Sequence, residues 1–210
     1  MYQHFGDVVP LESLIRDIAE LEDGGTLAVH LGIHALQRGY RAAIYTYNLR
    51  IFDPTWFNPT VKDFRERLLF QTTYRKDKKR RLAAQAYLEF LDAGGVFQFQ
   101  DLNGRLIRSY LNRNVPILTG LSSTYLYGTS REMPDTEKDD DLRGEPCGHF
   151  VVLCGYELKP QKVIVADPYD ENPMATGRLY KVKMNRLIGA ILLGVLTYDA
   201  NLLILEPNQD

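Results

Sequence analysis

Cysteine is scarce in this chain of 210 residues, which holds only Cys147 and Cys154. If both lie on the extended segment around them, they are roughly 23 Å apart at about 3.3 Å per residue, far beyond disulfide reach. Two free thiols exclude a disulfide-stapled scaffold and suit a reducing compartment. Long hydrophobic runs are lacking too. The most apolar segment, Leu187 to Leu196, is about half as long as a bilayer-spanning helix, so no membrane span is expected. The start, Met1-Tyr2-Gln3-His4-Phe5-Gly6-Asp7, has neither a basic end nor an apolar centre and is not a secretory signal. A cytoplasmic protein is the expectation.

Neither sign of charge predominates: the formal net charge is −2 and the isoelectric point is about 6.1. Such a balance supplies no general attraction to phosphate backbones. The basic run Arg75-Lys76-Asp77-Lys78-Lys79-Arg80-Arg81 reads as the solvated face of a helix, so nucleic acid is not an expected partner. Histidines number four. His30 and His34 have the spacing of two metal ligands on one helical turn, yet Leu31 stands where a zinc-peptidase helix carries its glutamate, and no third ligand cluster is visible. Neither a metal nor a cofactor is expected. With no repeat and no low-complexity linker, residues 1–210 are expected to form a single domain.

The patterning begins with helices. Gly6 is the left-handed stop of a helical turn over the first residues, a turn too short to be stable alone. Pro10 opens a helix with Leu11, Leu14, Ile15, Ile18 and Leu21 on one face, closed by Asp23-Gly24-Gly25. Thr26 is expected to cap a second helix running to Arg38-Gly39, and Tyr40 to Tyr47 alternate as a strand. The aromatic loop from Phe52 to Pro59 is either a plug in the core or one wall of a cleft. Helices are expected over 60–71, 76–93 and 102–112, with strands over 96–100 and 115–121. The segment 122–146 breaks the pattern. Its acidic residues Asp135, Glu137, Asp139, Asp140 and Asp141 read as a solvated loop, less often as a lid. A strand over 179–183, a helix capped by Asn185 and a strand over 202–205 follow. Helices ahead of a mostly antiparallel sheet make an α+β plan.

The chain is organised around Gly148-His149-Phe150-Val151-Val152-Leu153-Cys154-Gly155-Tyr156 and Val163-Ile164-Val165-Ala166-Asp167-Pro168. Both read as buried strands joined by a hairpin, with an ionisable residue near one end of each. Spacing alone leaves two readings. In the first, His149 is a hydrogen-bonded strand-end histidine and Asp167 begins an Asp-Pro turn. In the second they are a general base and the carboxylate that orients it. Register separates the two. Pairing centred on Leu158 sets His149 opposite Asp167, the arrangement expected here. A two- or four-residue loop around Lys159-Pro160 turns Asp167 to the other face unless a bulge intervenes.

Helices ahead of a sheet that presents His149 on one strand and Asp167 at the end of the next resemble the papain-like cysteine peptidases. In detail the chain is similar to family thirty-nine of the cysteine peptidases, the bacteriocin-processing double-glycine peptidases, and to their stand-alone relatives. The matching residues are Gly148-His149-Phe150-Val151-Val152 and Val165-Ala166-Asp167-Pro168. Gly24-Gly25-Thr26, Tyr45-Thr46-Tyr47-Asn48, Phe52-Asp53-Pro54-Thr55-Trp56 and Tyr198-Asp199-Ala200-Asn201 look like features of the stand-alone subgroup. The resemblance implies a papain-like α+β fold, a peptide or protein substrate, and His149 and Asp167 as catalytic residues.

Family members also carry a glutamine and a Cys-Gly-Pro motif that opens a helix ending much as His4-Phe5-Gly6-Asp7 does here. The nucleophilic thiolate would lie at that helix's N-terminus, and the glutamine would help hold the oxyanion. Neither motif occurs in the 210 residues, so the nucleophile is expected upstream of Met1. Cys154 is an odd number of residues from His149 and points to the other face, and Cys147 is about 6 to 7 Å away along the strand with a parallel side chain. Both are poor nucleophiles by geometry. Ser122 or Ser123 could in principle complete a Ser-His-Asp set. The alternatives to a peptidase are a non-catalytic pseudo-peptidase that binds a peptide or protein, and a papain-like acyltransferase or amidase.

Overall fold

Pro10 sets the entry to the first helix, but α1 (Leu11–Asp17) ends within two turns because Ile18 is extended. The apolar stripe expected to run to Leu21 therefore stops early, and Leu11 and Ile15 stay 66% and 67% exposed. A seven-residue helix has little intrinsic stability. The computed structural model describes residues 1–21, 25–74, 78–159 and 161–208, and within a helix it leaves the side chains of residues 78–80 undescribed. The expected stop at Asp23-Gly24 and most of the basic run from Arg75 lie outside what is described.

Residues Met1–Gln100 and Leu203–Asp210 form one compact unit, and Asp101–Leu202 a second. The first unit opens with a 3-10 turn over Tyr2–Phe5, ended by Gly6 at φ 79° as expected. Next comes α2 (Ala28–Gln37), which starts after Leu27 without a side-chain cap. Thr26 does not serve as the expected cap, because its hydroxyl donates to the Ala19 carbonyl at 2.8 Å. β1 (Tyr40–Thr46), α3 (Phe64–Tyr74), α4 (Lys78–Asp92) and β2 (Val96–Gln98) follow. β1 and β2 pair in parallel from Ala43↔Val96 to Tyr45↔Gln98, so the intervening helices form the crossover that parallel strands require.

Aromatic packing holds this unit together. Phe52 is buried with its ring against Phe57, Phe64, Tyr87 and Phe97 at 4.9–6.1 Å between centroids. The loop after β1 is thus a plug at Phe52. The two helical histidines hold local structure: His34 Nδ1 bonds the Tyr2 hydroxyl at 2.7 Å, and His30 Nδ1 donates to the Ala19 carbonyl at 3.1 Å. Among the described residues no three His, Cys, Asp or Glu side chains are grouped to hold a metal ion.

The second unit carries α5 (Gly104–Leu111), capped by the Asn103 side chain accepting from the Arg105 and Leu106 amides. β3 (Ile117–Ser122) runs into a π-helical turn over Thr124–Gly128. β4 (Gly148–Glu157), β5 (Lys162–Ala166), β6 (Leu179–Lys183) and α6 (Met184–Leu193) come next. The sheet β3-β4-β5-β6 is antiparallel throughout. α6 begins one residue before Asn185, and Lys183 at the cap makes no side-chain bond. β7 (Asn201–Pro207) closes the chain; its first two residues belong to the second unit, and from Leu203 it runs beside β1 in the first. The plan is α+β, and no described helix is long and apolar enough to cross a membrane.

Gly32 lets α2 lie close against Phe90 of α4, because a Cβ there would be 2.6 Å from Cε2 of that fully buried ring. Gly32→Ala sets a helix-propensity gain of about 1 kcal/mol against overpacking of about 1–3 kcal/mol. Overpacking should win, since an aromatic ring in a closed core has little room to move. Urea unfolding is expected to show a lower midpoint for the variant, and an unchanged or higher midpoint would mean that the ring yields.

Candidate active site

The position of Asp167 is set by how β4 and β5 pair. Next to the hairpin, Glu157↔Lys162, Tyr156↔Val163 and Gly155↔Ile164 are partners; beyond Cys154 the register shifts to Leu153↔Val165 and Val152↔Ala166. The expected pairing around Leu158, with His149 directly opposite Asp167, is therefore corrected. Four residues separate the innermost pair, a parity that by itself turns Asp167 away from His149. Cys154 is the extra residue of a bulge, and it restores the face. Continued one step, the ladder sets Asp167 level with Val151, diagonal to His149. Val151, Leu153, Val163, Val165 and Asp167 are accordingly all buried on one side of the strands.

Diagonal neighbours lie within reach of long side chains, and here they meet. His149 Nε2 lies 2.7 Å from Oδ1 of Asp167, whose side chain is fully buried while that of His149 is 22% exposed. Oδ1 also accepts from the Tyr169 amide at 2.9 Å, and Oδ2 accepts from the hydroxyls of Tyr127 at 2.7 Å and Tyr180 at 2.6 Å. Burial pushes the Asp167 carboxyl up, but the bonds from Tyr180, His149, Tyr127 and the Tyr169 amide together hold it below its ordinary value. The same contacts, added to burial, raise both tyrosine hydroxyls. An ionised Asp167 fixes the proton on Nε2 of the imidazole. The lone pair is then on Nδ1, which makes no hydrogen bond among the described residues.

His149 lines a cleft of about 690 Å³ in the second unit. Ser123 and Cys147 line it too, as do Glu132, Glu137 and Asp139 from the segment after β3 and Tyr169, Glu171 and Pro173 from the segment after β5. The first of these segments is the acidic one; Asp135, Glu137, Asp139 and Asp141 are exposed as expected of a solvated segment, and the chain there bends back on itself. Glu132 bridges to Asp139 and Glu145, and the Asp140 amide donates to Arg131 at 2.8 Å.

Among the described residues no thiol or hydroxyl is hydrogen-bonded to Nδ1. Burial and a bond to Glu132 push the Cys147 thiol up to about 11. Cys154 sits on the bulge, exposed, with Sγ 3.5 Å from the Ile164 carbonyl. Ser123 reaches the cleft, but its hydroxyl donates to the Cys147 carbonyl at 3.2 Å, and Ser122 accepts from the Tyr125 amide at 3.3 Å. Sequence reasoning missed Tyr127 and Tyr180. Tyr180 could have been found from alternation along β6, which puts it with Val182 on the buried face; Tyr127 lies in a π-helical turn that has no sequence period to read.

The linkage fixes a sign. Because the folded Asp167 carboxyl lies below its unfolded value of about 3.9, its contribution to stability is complete above that value and is lost as pH falls through the folded one. Tyr180→Phe removes a donor to a charged acceptor and should destabilise by about 1.5–3 kcal/mol at neutral pH. Urea unfolding of both proteins in acid should show the difference shrinking as Asp167 takes up its proton; a constant difference would mean that the lost bond does not depend on the charge.

Residues 69–187, more than half of the chain and a span that includes both His149 and Asp167, match the model of the Peptidase_C39 like family. No curated protein and no solved structure gives a match. The α+β fold with its largely antiparallel sheet is consistent with a papain-like peptidase. The chain belongs to the Peptidase_C39 like family, within the papain-like peptidase superfamily.

Proposed function

We propose that the second unit is the acid-base half of a cysteine peptidase-like hydrolase, with His149 as general base and Asp167 as the residue that orients it. The observation that carries this reading is the division of the imidazole: Nε2 is held by a fully buried carboxylate, while Nδ1, on a residue that lines a cleft, has no partner among the described residues. The reading requires a nucleophilic thiol that neither Cys147 nor Cys154 supplies, and the family resemblance implies one at the start of a helix. Cys147, its thiol pushed up to about 11 by burial and by Glu132, stays protonated at neutral pH. Two free thiols support a reducing, cytoplasmic setting.

In this mechanism Nδ1 takes the proton of the attacking thiol, and the thiolate forms a bond to the scissile carbonyl carbon. The resulting imidazolium is stabilised by the ionised Asp167 and returns its proton to the leaving amine as the C–N bond breaks. Water then attacks the thioester carbonyl carbon as Nδ1 again accepts a proton, and the C–S bond breaks as that proton passes to the departing thiolate, which releases the acid product and restores the thiol. A second reading, a pseudo-peptidase that binds a peptide without cutting it, is favoured by one observation: neither thiol in the chain is placed or activated as a nucleophile.

The test is the intact mass and iodoacetamide reactivity of the protein expressed from its own locus. The proposal expects a mass above 24.1 kDa and a third, fast-alkylating thiol whose reactivity falls in His149→Ala. Peptide hydrolysis should drop about 100- to 10,000-fold in the same variant. A product of 24.1 kDa with two slow thiols and no hydrolysis would establish the binding reading instead.

A further inference from the structure

We propose that the cleft at His149 selects a cationic stretch of peptide, with Lys or Arg side chains set against Glu137, Asp139 and Glu171. The inference rests on the proposed function in one respect, that a peptide enters this cleft. Two segments give the cleft an acidic lining: Glu132, Glu137 and Asp139 from the one after β3, and Glu171 from the one after β5. Neither Lys nor Arg lines the cleft among the described residues. Of the neighbouring cations, Arg131 donates to the Asp141 carbonyl, Arg143 pairs with Asp140 and Arg178 with Asp170, while Lys138, between Glu137 and Asp139 in the chain, is exposed and does not line the cleft.

The carboxylates of Glu137, Asp139 and Glu171 are exposed and make no hydrogen bond or ion pair with a described side chain. Carboxylates gathered around a concave surface repel one another and focus a negative potential into the opening. They are spread along it, since no three acidic, His or Cys side chains group as a metal site among the described residues. A bound ion would need convergence at a point, whereas an extended polycation matches charge spaced along two segments. A volume of about 690 Å³ is ample for several side chains. His149 lines the same space, so a peptide held by these carboxylates passes the candidate base.

The experiment measures fluorescence anisotropy of labelled Lys-rich, Ser-rich and Glu-rich peptides of equal length with the protein as expressed from its own locus. It is repeated with the triple variant Glu137→Gln, Asp139→Asn, Glu171→Gln, with circular dichroism to confirm folding. At low salt the Lys-rich peptide is expected to bind on the order of tenfold more tightly than the Ser-rich one, as three partly screened pairs would give. The preference should fall with added salt and vanish in the triple variant. Equal binding of the Lys-rich and Ser-rich peptides, or a Lys preference that survives in the variant, overturns the inference. Hydrolysis followed in parallel separates the two proposals. Cutting that depends on His149 but ignores peptide charge overturns the inference and leaves the peptidase reading standing. A carboxylate-dependent Lys preference without hydrolysis supports the inference and removes the peptidase reading.

Discussion

A carboxylate with no access to water is the constraint on which the second unit depends. Asp167 is fully buried and accepts four hydrogen bonds, from His149, the Tyr169 amide, Tyr127 and Tyr180. An ionised group in that position is tolerated only if it is fully satisfied. The donors come from four places: β4, the chain just past β5, the π-helical turn and β6. The carboxylate thereby ties three strands and a turn to one point, and the orientation of the imidazole follows from that arrangement. Both lobes of Asp167 have partners, so the carboxylate cannot swing to follow the histidine; the histidine must come to it.

Cys147 illustrates the converse. It stands two residues from a histidine on the same segment and lines the same cleft, yet its thiol is pushed up to about 11. Burial disfavours the thiolate, and Glu132 stabilises the protonated thiol by bonding it. Sequence proximity to an imidazole does not make a nucleophile; the thiol needs a positive environment, and the cleft lining here is acidic.

Much of the plan was legible in the sequence because periodicity and chain punctuation are local. The strands of the central hairpin, the stop at Gly6 and the burial of Phe52 follow from alternation, a glycine and an apolar ring between turn formers. Helix ends were less legible: Ile18 leaves α1 early, and Thr26 and Asn185 do not cap, because the hydroxyl of Thr26 finds the Ala19 carbonyl and α6 starts before Asn185. The residues of the His149–Asp167 pair were readable, but not the register that joins them. That register depends on a bulge, and a bulge leaves the hydrophobic pattern of two short strands almost unchanged. The two tyrosines were hidden for a related reason, since they reach Asp167 through tertiary packing from elements far apart in sequence.

The bulge at Cys154 has a consequence for how this hairpin can vary. Its length and that of the connection between Glu157 and Lys162 form a parity pair. Losing the extra residue, or changing the connection by one, rotates the whole of β5 and delivers Asp167 to the opposite side of the sheet. Making both changes together returns it. A single insertion or deletion in this hairpin therefore costs the contact between His149 and Asp167, whereas a compensating pair keeps it, so the bulge and the connection act as one geometric unit even though they are separated along the strand.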